Sequence, residues 1–441
     1  VLGALTAASY SRILGANNRV GAGFIGYGLI GAQHVFDFKN QDDVDLVALS
    51  DTYAPRLEQG VSTCRSKPGM QTRPYADFRR LIDDKDVEAV VVSTPDHWHA
   101  LMTMMACAAG KDVYVEKPMT LFVREGRWMI DTARRHKRVV QCGTQQRSGP
   151  HYQAARRLIQ EGYNGKLLHV RMGTGRNIMP GFGKPESAQP TDFDYDMWVG
   201  PAPMRPFQPH RGLYHFRWFW DFSGGQMTNL GAHEIDILQW FANVPGPLAV
   251  TSAGGRRALE DDGETPDSQE ALFEYPGFTA TWSQREAGAG RRLAGAEFIG
   301  TKGSLVISRA GYEVIPDMKT PPDNAVPVFK GHPLGGPQRE AVKPEPWIAP
   351  LKAPGSSEEQ FNLHVRNFVD CIKSRQRPVA DVEDGHHTAT ACHLANISLR
   401  TGRKIHWDAR KEEIIGDAEA SRMLERPYRK PWDSVLKALL A

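Results

Sequence analysis

Gly23-Phe-Ile-Gly26-Tyr-Gly28-Leu-Ile-Gly31 is the stretch that decides the fold. It overlaps the end of an apolar run, Val20 to Gly26, that reads as a strand, and it opens a run that reads as a helix. Three glycines in GxGxxG spacing each answer a separate steric demand. Gly26 permits the tight turn, Gly28 lets the backbone approach a diphosphate, and Gly31 lets helix and strand pack closely. The diphosphate then rests on the amides at the helix N-terminus. Gly26, Tyr27, Gly28, Leu29, Ile30 and Gly31 are therefore candidate cofactor contacts. The spacing alone is common; its strand-turn-helix-strand setting is specific. About 20 residues on, at the end of the second apolar run, stands Asp51. A carboxylate there accepts from ribose hydroxyls and repels a 2′-phosphate, which favours NAD over NADP. Arg56 nearby leaves the phosphorylated cofactor as the lesser alternative.

Outward from that turn, 441 residues exceed what one core comfortably holds, so two domains are expected. Short apolar runs at Leu46–Ser50, Ala89–Ser93, Asp112–Val115 and Val139–Gly143 read as further strands, with helices at Asp77–Asp83, His99–Gly110 and Val123–His136. This is a parallel sheet covered on both faces, a Rossmann domain over residues 20–148. Residues 149–441 form the second domain. A helix is expected at His151–Glu161, a strand at Lys166–Gly173 and a strong helix at Gln226–Phe241. Alternation from Leu248 to Ser308 predicts an open antiparallel or mixed sheet, making the chain α/β plus α+β. Arg176–Gly224 reads as irregular, Ile315–Ser357 as a surface excursion, and Glu358–Lys373 and Gly385–Thr401 as late helices returning towards the first domain.

A net charge of +3 on this length gives no reason to expect nucleic acid or an anionic membrane as partner. Five scattered cysteines without metal-type spacing predict neither a disulfide framework nor a metal site. Residues 1–19 begin with a run of small and apolar side chains and read as the remnant of an export leader. A periplasmic location is expected, with the cytoplasm as the alternative. No run is long enough to span a bilayer.

Two further segments follow buried strands: Thr94-Pro95-Asp96-His97-Trp98-His99 and Glu116-Lys117-Pro118. With the glycine turn, they make the chain similar to the Gfo/Idh/MocA oxidoreductases along nearly its whole length. A lysine at a strand's C-terminal end beside the nicotinamide can hydrogen-bond a reacting oxygen, and its pKa falls readily on desolvation. The resemblance implies that Lys117 is catalytic and that Glu116 holds the nicotinamide ribose. It also implies cofactor contacts at Thr94, Pro95, Asp96, His99 and Gln145, and a substrate- or cofactor-facing Arg147. The family usually carries Asn where this chain has Asp96. His99 reads equally as a cofactor-edge residue or as a helix cap.

Gly224-Gly225-Gln226-Met-Thr-Asn229-Leu-Gly-Ala-His233-Glu-Ile-Asp236 resembles the family's second site segment. Residues at i and i+4 share a helix face, so Asn229 and His233 can address one substrate. Histidine suits proton transfer to or from a hydroxyl. Asn229 stands where the family usually has Asp and cannot act as a carboxylate base, which shifts that work to His233 and Lys117; Asp236 reads as structural. Trp198, Arg205, His210, Arg211, Tyr214, His215, Trp218 and Trp220 crowd one span, as a sugar site or a packed loop anchor would. Arg211, Tyr214 and His215 are the substrate candidates there, with Arg171 and Arg176 as further basic ones.

The expected activity is NAD(H)-dependent hydride transfer at a ring carbon of a sugar or sugar derivative. The alternative, implied by exported relatives, is an NAD-dependent glycosidase working by transient ring oxidation, elimination, hydration and re-reduction. A non-catalytic NAD-binding protein is a minor alternative. The open sheet face predicts a homodimer or homotetramer.

Overall fold

Six runs of β-branched and small apolar residues build a parallel sheet in the order β3-β2-β1-β4-β5-β6. In the computed structural model these are β1 (Val20–Ile25), β2 (Val44–Ser50), β3 (Arg73–Tyr75), β4 (Ala89–Val92), β5 (Asp112–Val115) and β6 (Val140–Cys142). The structure describes residues 19–183, 188–288, 295–319 and 345–441, so the expected leader at 1–19 lies outside it but for Arg19. Every residue of β1, β4 and β5 is buried, as a sheet covered on both faces requires. The short β3 carries no apolar run and was not expected; its arginine and tyrosine hold Asp84 instead. Helices α1 (Leu29–Lys39), α2 (Ala54–Arg65), α3 (Phe78–Ile82), α4 (Asp96–Ala108) and α5 (Val123–Arg135) form the crossovers. Strand order reverses between β1 and β4, which opens a crevice at their C-terminal ends.

The chain leaves this domain through α6 (Pro150–Gln160) and enters β7 (Leu167–Gly175). There follow α7 (Tyr195–Val199), α8 (Gly225–Asn229) and α9 (Gly231–Ala242), then β8 (Ala249–Gly255), β9 (Ser268–Tyr275) and β10 (Phe278–Arg285). Next come β11 (Gly295–Gly300), β12 (Gly303–Ser308), β13 (Gly311–Pro316) and β14 (Leu351–Pro354). The end of the chain forms α10 (Ser357–Ser374), α11 (Val382–Thr401), β15 (Ile405–Asp408), β16 (Glu413–Ile414), α12 (Ala418–Ser421) and α13 (Trp432–Leu440). The second sheet runs β14-β13-β12-β11-β7-β10-β9-β8-β15-β16. It is mixed: β7 lies parallel to β10 and antiparallel to β11. The long excursion between β7 and β10 supplies the crossover that a parallel pair needs, so no hairpin constrains their direction. Alternate residues, including Val170, Phe273, Trp282 and Phe298, are buried on the inner face against α9 and α11.

Three further differences from the sequence reading have physical causes. The expected helix over 226–241 breaks at Leu230, where the His233 amide bonds back only three residues. Gly231 there meets the Trp282 ring, leaving little room for a Cβ. The Ile315–Ser357 excursion ends in β14, a short edge strand with weak periodicity; residues 320–344 lie outside the described ones. The irregular Arg176–Gly224 stretch has its own core of Phe193, Tyr195, Trp198, Phe219 and Phe222 and binds the first domain. Tyr53 pairs with Phe193, while the Trp198 carbonyl accepts from His97 Nε2 at 3.0 Å and Trp98 Nε1 at 2.9 Å.

The late helices lock the two halves. Phe368 of α10 packs edge-on to Phe38 and Tyr114, and Trp432 of α13 meets Phe78 and Trp98 on the opposite side of the sheet. His386 is buried with its Nε2 2.9 Å from Glu412. All five cysteines are buried thiols. Among the described residues no helix is long and apolar enough to cross a membrane.

Candidate active site

The glycine turn has the geometry that its three positions demand. Gly26 has φ +92°, and a Cβ on it would lie 2.8 Å from the Ser93 carbonyl oxygen. A Cβ on Gly31 would meet the Gly26 oxygen at 2.1 Å. Gly28 is different: its Cβ would enter open space, with Arg56 Nη1 the nearest atom at 3.9 Å. That space is a cradle of backbone at the mouth of α1, suited to a diphosphate. Ser93 Oγ and Thr94 Oγ1 are buried at its edge without partners, which a bound dinucleotide would relieve. Leu29, Ile30, Thr94 and Pro95 also line this groove, whereas the Tyr27 ring turns into the core and bonds Thr63. Asp51 sits at the end of β2 with one oxygen 2.7 Å from the Tyr27 amide and the other 2.9 Å from the Tyr53 amide. Burial raises its pKa despite those bonds and the nearby Arg56. The residues fit NAD: Asp51 lines the groove and keeps lone pairs that would accept from ribose hydroxyls.

Where this groove meets the second domain it widens into a crevice of about 470 Å³, a usual size for a small-molecule site. At its base, Glu116 Oε1 takes bonds from His34 Nε2 at 2.7 Å and Gln145 Nε2 at 2.8 Å. Burial alone would raise this carboxyl; the His34 contact and the Lys117 charge outweigh it and hold it below its usual value. Lys117 Nζ donates to the Asn229 carbonyl at 2.8 Å and to Asn229 Oδ1 at 3.1 Å. Burial lowers the Lys117 pKa, Glu116 opposes, and Arg217 and Arg309 add to the lowering. Asn229 is thus the residue that aims the lysine. Its amide nitrogen is in turn held by Gln226 Oε1 at 3.0 Å.

His233 borders the same crevice. Burial, with the charges of Lys117 and Arg309, drives its pKa well down and keeps the imidazole neutral. Its Nε2 lies 3.3 Å from Arg309, and its Nδ1 is buried without a partner. Asp96 is buried, accepts from the Ser223 hydroxyl and is pushed up by desolvation. His99 ties the Pro118 and Thr94 carbonyls together at 2.7 and 2.8 Å, bracing both motif loops; the N-cap of α4 is Pro95. From the long excursion, Tyr214 and His215 face the crevice, with His215 stacked on Phe182 at 4.5 Å. Burial, with His210 and the Arg176 and Arg217 charges, brings His215 down to about 4.

Arg147, Arg211 and Arg171 do not join this site. Arg147 is buried and gives a forked bond to Asp236, 2.8 Å from Nη2 and 2.9 Å from Nε, which anchors α9. Its short turn directs Gln145 inward and Arg147 to the far side. Arg211 lies 5.2 Å over the Phe219 ring and bonds the Pro206 carbonyl. Arg171 is on the outer sheet face with Glu297. Sequence reasoning missed Arg217, Arg309 and Phe182, which reach the crevice from turns without a motif. Among the described residues no cluster of His, Cys, Asp or Glu could hold a metal ion.

Two predictions arise here. Asp236→Ala takes the forked partner from the buried Arg147 guanidinium and leaves it only Asp384 at 3.2 Å as counter-ion, and a loss of about 3 kcal/mol in denaturant unfolding is expected; a loss under about 1 kcal/mol would remove the pair from the stability of α9. The second concerns Glu234, next to His233, which burial raises to about 8. The folded chain then keeps a proton that the unfolded chain releases near pH 4.3. That contribution is whole below about pH 4.3 and is lost as pH rises to about 8. Melting curves of Glu234→Gln should decline less than those of the parent across this window; parallel profiles would refute it.

Comparison with known proteins agrees with this construction. The profile of the oxidoreductase family with an NAD-binding Rossmann fold matches residues 20–144. The profile of that family's C-terminal alpha/beta domain matches 153–251 and 355–434. Over 154 residues the chain is 33% identical to a glycosyl hydrolase family 109 protein of Shewanella baltica and 32% identical to an alpha-N-acetylgalactosaminidase of Shewanella oneidensis. Each match covers 34% of this chain and 34% of the relative, so the chain spans about a third of the length of the curated relatives it matches. Levoglucosan dehydrogenase, solved with NADH and levoglucosan, superposes with a TM-score of 0.64 at 18% identity, covering 88% of this chain and 99% of its own. That likeness shows the fold. The chain belongs to the Gfo/Idh/MocA family of NAD-binding oxidoreductases.

Proposed function

We propose that this enzyme transfers hydride at a ring carbon of a sugar or sugar derivative. The observation that carries the reading is the Lys117–Asn229 pair, placed between the cofactor groove and an aromatic-walled crevice. NAD, when bound, supplies the hydride acceptor. Gly28, Asp51, Thr94 and Glu116 would hold it. Asn229 takes up two Lys117 protons in hydrogen bonds, and the remaining valence of Nζ is left for the reacting oxygen. A lysine with a lowered pKa can accept the hydroxyl proton and stabilise the developing alkoxide. Neutral His233 borders the same space and suits a second proton relay, while Phe182 and His215 offer a stacking wall to a sugar ring.

The identity to glycosyl hydrolase family 109 proteins favours a second reading, in which the ring oxidation is transient and the glycosidic bond leaves by elimination. Incubation with free sugars and aryl glycosides, with and without added NAD, separates the two. Stoichiometric NADH from a free sugar supports net oxidation. Aglycone release without net NADH supports the glycosidase, and inactivity on every sugar and glycoside would refute both.

A further inference from the structure

Two guanidinium groups in the crevice are left unused by the reading above. Arg217 comes from the turn His215–Trp218, and Arg309 from the tight turn between β12 and β13, so they arrive from separate elements. Arg217 lies 4.5 Å over the Phe216 ring and donates to the Tyr214 carbonyl at 3.2 Å. Arg309 has the 3.3 Å contact to His233 Nε2. Among the described residues neither forms an ion pair, whereas Arg176 in the same crevice is matched by Glu286 at 2.7 Å.

The carboxylates of the crevice are engaged elsewhere. Glu116 is taken by His34, Gln145 and the Lys117 amide, and Asp96 by Ser223. Lys117 offers the two guanidinium groups no negative charge either, its Nζ being satisfied by neutral acceptors. A half-buried guanidinium without a counter-ion is costly, and its planar fork is matched by carboxylate or phosphate oxygens. A neutral sugar needs no such charge. Arg217 also borders the cofactor groove, where the phosphates of a bound dinucleotide would share its charge; Arg309 borders the crevice alone.

We propose that the substrate is an anionic sugar, bearing a carboxylate or a phosphate ester, and that Arg309 reads the anion while Arg217 reinforces the field. The proposal rests on the reading of the crevice as a sugar site. It is tested with the NAD-loaded full chain, titrated by calorimetry and assayed for turnover. The ligands are a hexose, its uronate and its primary-carbon phosphate ester, in both the gluco and galacto series.

One anionic member is expected to bind at least about tenfold tighter than its neutral parent, as a charge-assisted bond implies. The advantage should shrink with added salt. Arg309→Gln should bring the ratio of anionic to neutral affinity to within about twofold, and whether uronate or phosphate ester shows the effect identifies the anion. Equal affinity for charged and neutral sugars in the parent overturns the inference, as does an Arg309→Gln variant that weakens all of them alike. Turnover of neutral sugars without anion preference sinks this inference and leaves the proposed function standing. Absence of binding and turnover with every sugar sinks both.

Discussion

Replacing Lys117 with methionine should lower turnover at saturating substrate by roughly a thousandfold, with the dinucleotide still bound. Methionine keeps the length and apolar stem but removes the only group at that point able to take a proton from, or donate to, a reacting oxygen. The cradle at Gly28 and the Asp51 carboxylate lie along the other arm of the groove, so cofactor retention measured by fluorescence quenching should be unchanged. The Asn229 carbonyl and Oδ1 lose their donor, which costs about 1–3 kcal/mol of stability at most. Lys117→Arg sharpens the test, because arginine keeps the charge and cannot titrate. If the neutral amine is the base, the parent rate rises with pH through a pKa below the ordinary lysine value, since burial lowers it. The arginine variant should lack that rising limb. Turnover within tenfold of the parent in both variants would take Lys117 out of the chemistry.

The second large effect lies at Gly28. Gly28→Val should weaken NAD binding on the order of a hundredfold, through about 2–3 kcal/mol of overpacking against the diphosphate. The fold should tolerate it: the added Cβ has open space around it, and Gly28 has φ −81°, which any residue adopts. The cofactor-free melting temperature is therefore expected to match the parent. Gly31→Val offers the contrast, since its Cβ would lie 2.1 Å from the Gly26 oxygen, and it should destabilise the cofactor-free fold as well. Undiminished affinity in Gly28→Val would place the diphosphate elsewhere.

Legibility in the sequence followed the range of the interactions involved. The glycine turn and the strand ends at Asp51 and Glu116 were readable because local backbone sterics and uniform burial leave strong local marks, whereas Lys117 and the Asn229–His233 segment were singled out by the family resemblance. Arg147 was placed in the site because the family resemblance puts substrate- or cofactor-facing residues just past the strand at Val139–Gly143. A short helical turn sends neighbouring side chains to opposite sides, and the buried Asp236 captured it. Arg309 had no signal at all, because a two-residue turn between adjacent strands carries no periodicity.

By itself, then, the amino-acid sequence determined the doubly wound first domain and its preference for NAD, while the family resemblance pointed to Lys117 as the proposed reactive group. The first two follow from glycine sterics and one carboxylate acting over a few residues. Tertiary structure decided what surrounds that lysine: Asn229 as its anchor, a neutral His233, the excursion folded over the groove, and two uncompensated arginines facing the crevice. Such features depend on desolvation and on charges brought together from residues 96 to 309, and burial and charge balance are properties of the packed chain, not of any segment in it.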